Sequence, residues 1–346
     1  MKLPDIYDYK LTRIDEMRKS KNETARRGSI GIPMGLNMYE NIFFWHEFFT
    51  VLGFNVVISD VSSRKLYSSA QQTIPSDTAC YPAKLMHGHV QNLLDKGIRT
   101  IFYPCMTYNF DEGVGDNHFN CPVVAYYPEL LRANMAALSD AVFLYPYFDV
   151  NHKKDFVKKA FEYFKGYYSD ITKDEIKKAT ENAFRKYEQS KLDVMEEGKK
   201  AIQFARENGR RMIVLAGRPY HVDPEINHGM NKLITGLGLC VLSEDAVSGL
   251  VKKSQSVNVL NQWTYHQRLY DSAKFVKGQP DMELVQLVSF GCGIDAITTD
   301  EVNDILTRGG KLYTQLKIDE INNLGAVKIR LRSLLGAVEE RESDSK

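Results

Sequence analysis

Apolar and polar positions along this chain follow two different periods. Short apolar runs punctuated by Pro or Gly suit buried strands. They occur at 29–32 (Ser-Ile-Gly-Ile, stopped by Pro33), 54–60, 100–103 (stopped by Pro104), 123–126, 212–216, 239–242 and 284–289. Between them the period lengthens. Tyr39, Ile42, Phe43, Trp45, His46, Phe49 and Leu52 recur at the spacing of one helical face, and Gly53 ends the run. A second helical pattern over 83–96 is closed by Gly97, and Pro128-Glu129 reads as a helix entry. Strands alternating with helices of this length predict an α/β protein with parallel sheets.

Residues 1–27 are polar and read as a helical arm or loosely ordered lead-in. Residues 151–211 hold 16 Lys or Arg against 11 Asp or Glu, with Phe, Tyr and Ile at helical spacing, and read as two connecting helices with solvated faces. The strand and helix alternation resumes at 212. Residues 52–60 (LGFNVVISD) resemble 237–245 (LGLCVLSED) at an offset of 185, and Phe102 to Cys105 falls against Phe290-Gly291-Cys292 at nearly the same offset. The predicted organisation is therefore an arm (1–27), a first doubly wound domain (28–150), a helical connector (151–211) and a second doubly wound domain with a C-terminal helix (212–346), the two domains forming a pseudo-repeat.

Composition narrows the function classes. With 346 residues, 43% hydrophobic and 26% charged, the chain is ordinary for a globular protein of about two domains. A net charge of +1 gives no electrostatic footprint for nucleic acid or an anionic membrane. No apolar run reaches the roughly 18 residues of a membrane span, and the polar N-terminus does not read as a secretion signal. Five cysteines, an odd number, argue against a disulfide framework and for the reducing cytoplasm.

Three cysteines fall where parallel sheets bind ligands, beyond the carboxyl ends of the strands. Cys105 follows strand 100–103, Cys292 follows strand 284–289 between Gly291 and Gly293, and Cys80 opens a helix. Helix N-termini favour thiolates, the form that ligates zinc and iron–sulfur clusters. No close CxxC pair of the zinc type is present, so a cluster shared by two facing lobes is the better fit; buried core thiols are the bland alternative. Cys121 is a fourth candidate, although a strand at 123–126 would place it at the opposite end of the sheet. Cys240, inside an apolar run, reads as core.

These residues carry a resemblance. The stretches 74–89 (IPSDTACYPAKLMHGH), 102–105 (FYPC), 120–124 (NCPVV), 217–229 (GRPYHVDPEINHG) and 289–296 (SFGCGIDA) resemble the acyl-CoA dehydratase activase-related proteins, relatives of the iron–sulfur subunits of 2-hydroxyacyl-CoA dehydratases and of double-cubane cluster proteins. The resemblance spans roughly 28–340. It implies two Rossmann-like domains, a [4Fe-4S] cluster between them held by Cys80, Cys105, Cys292 and Cys121, and a separate ATP-hydrolysing activase as partner. A small-molecule substrate such as an acyl-CoA and a homodimer also belong to this expectation. The chain has no Gly-rich phosphate loop of its own, and five cysteines are too few for a double-cubane cluster.

The loop after strand 212–216 supplies the remaining candidates: Arg218 to pair with an anionic group and His221 to move a proton near neutral pH, or else a structural turn set by Asp223-Pro224. His87 and His89 lie two apart on one helix and cannot share a face. Trp263 to His266 aligns with the Cys80 region in the repeat, as though a ligand had been lost there. The resulting expectation is a cytoplasmic iron–sulfur protein, a reductase or dehydratase component for low-potential electron transfer. The alternative is a non-redox two-lobed scaffold or zinc-binding module that partners the activase.

Overall fold

The computed structural model describes residues 2–251, 257–289, 291–318, 320 and 323–344. Phe290, one of the residues aligned in the repeat, lies outside them. The helices are α1 (Ile6–Lys19), α2 (Met38–Val51), α3 (Arg64–Ser69), α4 (Tyr81–Asp95), α5 (Pro122–Asn134), α6 (Lys153–Lys165), α7 (Lys173–Glu207), α8 (Pro224–Asn227), α9 (Met230–Gly236), α10 (Glu244–Val247), α11 (Thr264–Lys277), α12 (Gly293–Thr307) and α13 (Leu324–Asp344). The strands are β1 (Ser29–Ile32), β2 (Asn55–Ile58), β3 (Thr100–Phe102), β4 (Val142–Leu144), β5 (Met212–Ala216), β6 (Cys240–Ser243), β7 (Met282–Ser289) and β8 (Thr314–Ile318). They form two four-stranded parallel sheets, in the orders β2-β1-β3-β4 and β6-β5-β7-β8. The chain is thus α/β, with parallel sheets as the alternating pattern requires. None of the described helices is long and apolar enough to cross a membrane.

Two compact units result: residues 12–192 with 262–264, called the first unit, and residues 1–11, 193–261 and 265–346, called the second. Their boundaries fall inside α1 and α7. The first eleven residues of the N-terminal arm therefore belong to the second unit, and α1 begins among them. The Tyr7 hydroxyl donates to Leu215 O at 2.9 Å, Lys10 Nζ pairs with Asp245 at 2.6 Å, and Asp5 bridges to Val241 on the β6 edge. Ile6 and Ile14 are buried, a pattern masked in the sequence by the charged residues around them.

The first unit's core is aromatic. The buried face of α2 presents Phe44, Trp45, Phe48 and Phe49, which meet Phe102 of β3 and Phe156 and Phe164 of α6 at centroid distances of 4.7–6.0 Å, edge-on or tilted. Each such ring buries on the order of 150–250 Å² and prefers these geometries. Gly53, at φ 84°, ends the α2 segment in a left-handed turn that reverses the chain into β2.

The expected strand at 123–126 is not formed: these residues are the first turns of α5. Two valines in succession favour a strand, but Cys121 at the cap and Pro122 in the first turn start a helix there instead. The fourth strand of that sheet is β4, three residues long and absent from the sequence-based reading, as is β8.

Candidate functional site

In each sheet the chain reverses its direction of winding beside the first strand, so the ligand crevice of such a fold lies beyond the carboxyl ends of β1 and β3 in one unit and of β5 and β7 in the other.

In the first unit, Cys105 continues β3. It bridges to Tyr147: its N–H donates to Pro146 O at 2.9 Å and its carbonyl accepts from Phe148 N–H at 3.1 Å. Its thiol is 1% exposed, and burial, reinforced by Glu129, pushes it up to about 12. Cys80 caps α4 and Cys121 caps α5, where the Cys121 sulfur accepts the Val124 N–H at 3.4 Å. Because 122–134 is a helix, the argument that placed Cys121 at the far end of the sheet falls. The thiols of Cys105, Cys121 and Cys80 all act electrostatically on one buried group, the Tyr103 phenol, whose oxygen has no hydrogen-bond partner. The sequence did not single out Tyr103, although it stands next to Pro104-Cys105.

His87 and His89 point to different partners, as their spacing requires. The His89 ring joins Ser59 Oγ and Ser62 Oγ, both at 2.9 Å; the His87 ring joins Thr73 Oγ1 at 2.7 Å and the Tyr127 hydroxyl at 3.2 Å. Both side chains are fully buried, and burial lowers them to about 4 (His87) and about 3 (His89), so they are neutral links of the core.

In the second unit, Arg218 follows β5 and Cys292 caps α12 after β7. The Arg218 guanidinium donates to Cys292 Sγ at 3.3 Å and is salt-bridged to Asp295, both charged side chains being nearly sealed from solvent. Asp295 also accepts the Ser289 N–H at 2.8 Å, and its carboxyl is held far below the usual range, Arg218 and His266 outweighing burial. His221 accepts the Arg218 backbone N–H at 3.1 Å and lies 3.2 Å from its guanidinium. Burial and the Arg218 charge push His221 well below the ordinary histidine range. At pH 7 it is therefore neutral. His266 is buried, and neither ring nitrogen makes a hydrogen bond; its nearest acidic oxygen is Asp295 Oδ1 at 3.8 Å. Asp295 escaped the sequence reading, though it stands three residues after Cys292 in the first turn of α12. Cys240, on β6, is fully buried in the hydrophobic core of the second unit.

The fold and these loops define an α/β protein with two parallel-sheet units, each with polar side chains gathered past its strand ends. The family described as the CoA enzyme activase uncharacterised domain (DUF2229) matches residues 29–247, and the chain belongs to it. No curated protein matches the chain.

Two findings correct the function expected from sequence. The family is described as an activase domain, not as the cluster-bearing partner of one. Among the described residues no group of three or more His, Cys, Asp or Glu side chains is arranged to hold a metal ion. The reading as an iron–sulfur, electron-transferring reductase or dehydratase component is therefore withdrawn. Spacing and neighbouring glycines could not show what these thiols touch: Cys105 is buried beside Glu129, the Cys121 sulfur accepts the Val124 N–H and the Cys292 sulfur accepts from Arg218.

Proposed function

We propose that this chain is a non-redox component of a CoA-enzyme activation system, a two-unit scaffold that docks an ATP-hydrolysing activase. The observation that carries this reading is the family match over 29–247, supported by the lack, among the described residues, of a side-chain group arranged to hold a metal ion. The absence of a Gly-rich phosphate loop from the sequence supports placing ATP hydrolysis on the partner. Arg218 and the N-terminus of α12 are the groups we assign to an anionic part of a small molecule handled by that system, such as an acyl-CoA. The shared strand order of the two sheets supports reading the chain as a pseudo-repeat. The zinc form of this reading has no side-chain group among the described residues to support it.

The test pairs two measurements on the full chain. Size-exclusion chromatography with light scattering, in the presence of an ATP-hydrolysing CoA-enzyme activase and nucleotide, is expected to give a discrete complex. Anaerobic reconstitution with iron and sulfide, and separately with zinc, is expected to leave no metal after desalting. Stoichiometric retained metal, or no complex in any nucleotide state, would sink the proposal.

A further inference from the structure

A cavity of the first unit has no part in the reading above. It has a volume of about 610 Å³ and lies past β4, between the loop 145–148, α5 and α6. Its wall is tyrosine: Tyr145, Tyr147, Tyr163 and Tyr167, with Phe148 alongside. Tyr147 and Tyr167 are 54% and 51% exposed, an unusual cost for such large rings in a fold that buries most of its aromatics. Tyr163 and Tyr167 stand 5.4 Å apart at 42°, and Phe148 meets Tyr163 edge-on at 5.9 Å. The Tyr147 hydroxyl donates to Glu129 at 2.7 Å, which fixes the ring at the cavity wall. Three charged side chains line the same space: Glu129, Glu162 and Lys159. Glu162 and Lys159 have no ion-pair partner among the described residues although they lie three apart on α6.

The chemistry of this lining favours one ligand class. Aromatic faces carry negative potential and attract cations placed over them. Two carboxylates add acceptors and net negative charge, whereas Lys159 is the one dedicated cationic donor. The volume is that of an ordinary small-molecule pocket, roughly 300–1,000 Å³. An anion would gain Lys159 but face both carboxylates. A neutral planar heterocycle would use the rings and leave the carboxylates unpaired. We infer that this cavity binds a small organic cation, a quaternary ammonium or guanidinium group seated on the tyrosine faces with Glu162 and Glu129 beside it.

The probes are choline, its uncharged isostere 3,3-dimethylbutan-1-ol, agmatine and benzoate, each titrated against the full chain by saturation-transfer NMR. Choline and agmatine are expected to bind about tenfold more tightly than the isostere, within the range of a desolvated cation–π contact. The choline methyl signal is expected to move upfield from the tyrosine ring currents. Glu162→Gln, at an exposed position without a partner, should keep the fold and weaken choline about threefold or more. Tyr167→Ala should weaken it similarly, and Lys159→Gln should tighten it. Equal binding of choline and its isostere, preference for benzoate, or no binding of either cation at millimolar concentration would each overturn the assignment.

Discussion

Acid should loosen the first unit through His87 and His89. Both are fully buried, and their folded values are about 4 and about 3. In the unfolded chain an ordinary histidine titrates near about 6.5. The sign follows from where the protons bind. Below pH 6.5 the unfolded chain takes up a proton at each site and the folded one does not, so stability rises with pH. The contribution is fully present above 6.5. It is lost as pH falls, and the loss ends only once pH drops through the folded values. From pH 7.5 to pH 5 linkage gives about 2 kcal/mol lost per histidine, about 4 kcal/mol for the pair. Both tryptophans, Trp45 and Trp263, belong to the first unit, so their fluorescence during urea unfolding isolates it. His89→Gln and His87→Gln keep hydrogen-bonding capacity without titrating. Carboxylates add acid lability to every variant, so the quantity to read is the difference between variants. The pH 7.5 to pH 5 loss should shrink by about 2 kcal/mol in each single variant and about 4 in the double. An unchanged pH dependence in the double variant would refute the buried-neutral assignment.

Three further substitutions probe the packing. Phe164→Ala, which removes a fully buried ring in contact with Phe48, Phe49, Phe102 and Phe148, should cost about 3–5 kcal/mol in the same urea assay. Gly88→Ala would place a Cβ 2.2 Å from the Leu66 carbonyl oxygen, so α3 must move off α4; a loss of about 1–3 kcal/mol is expected, and a neutral result would contradict that close approach. Arg218→Ala strands the buried Asp295 carboxylate and should destabilise the second unit by about 3–5 kcal/mol, read by calorimetry as a downshift of its transition.

What the sequence made legible was whatever a local period can encode. The aromatic face of α2 and the apolar β5 and β6 are continuous signals, and the alternation of strands with helices led to the parallel α/β class. The short edge strand β4 gave no such signal, because three residues set no period. The stretch 123–126 failed for a different reason: local β-branched propensity was overridden by a cap and a proline just upstream. For the candidate sites, position was readable and chemical state was not. Strand order placed Cys105, Arg218 and Cys292 past strand ends, where they are found. Whether each thiol is a free ligand or a sealed, hydrogen-bonded group depends on Glu129, Asp295 and Arg218, contacts made across long sequence separations. The His266 imidazole set against Asp295 and the buried Tyr103 phenol are equally invisible to spacing.

Cys105 helps to build the loop opposite it. Its backbone bridges to Tyr147 and extends the β3–β4 pairing past the regular sheet. That extension fixes the loop 145–148, since Pro146 O and Phe148 N–H are both tied to Cys105. The same loop then holds Tyr145 and Tyr147 along one wall of the tyrosine cavity, while Glu129, whose charge helps keep the Cys105 thiol protonated, anchors the Tyr147 hydroxyl. A small, weakly polar side chain suits that place because it fills the buried space behind the loop without demanding a strong hydrogen-bond partner. Cys105 thus stands behind one wall of the tyrosine cavity.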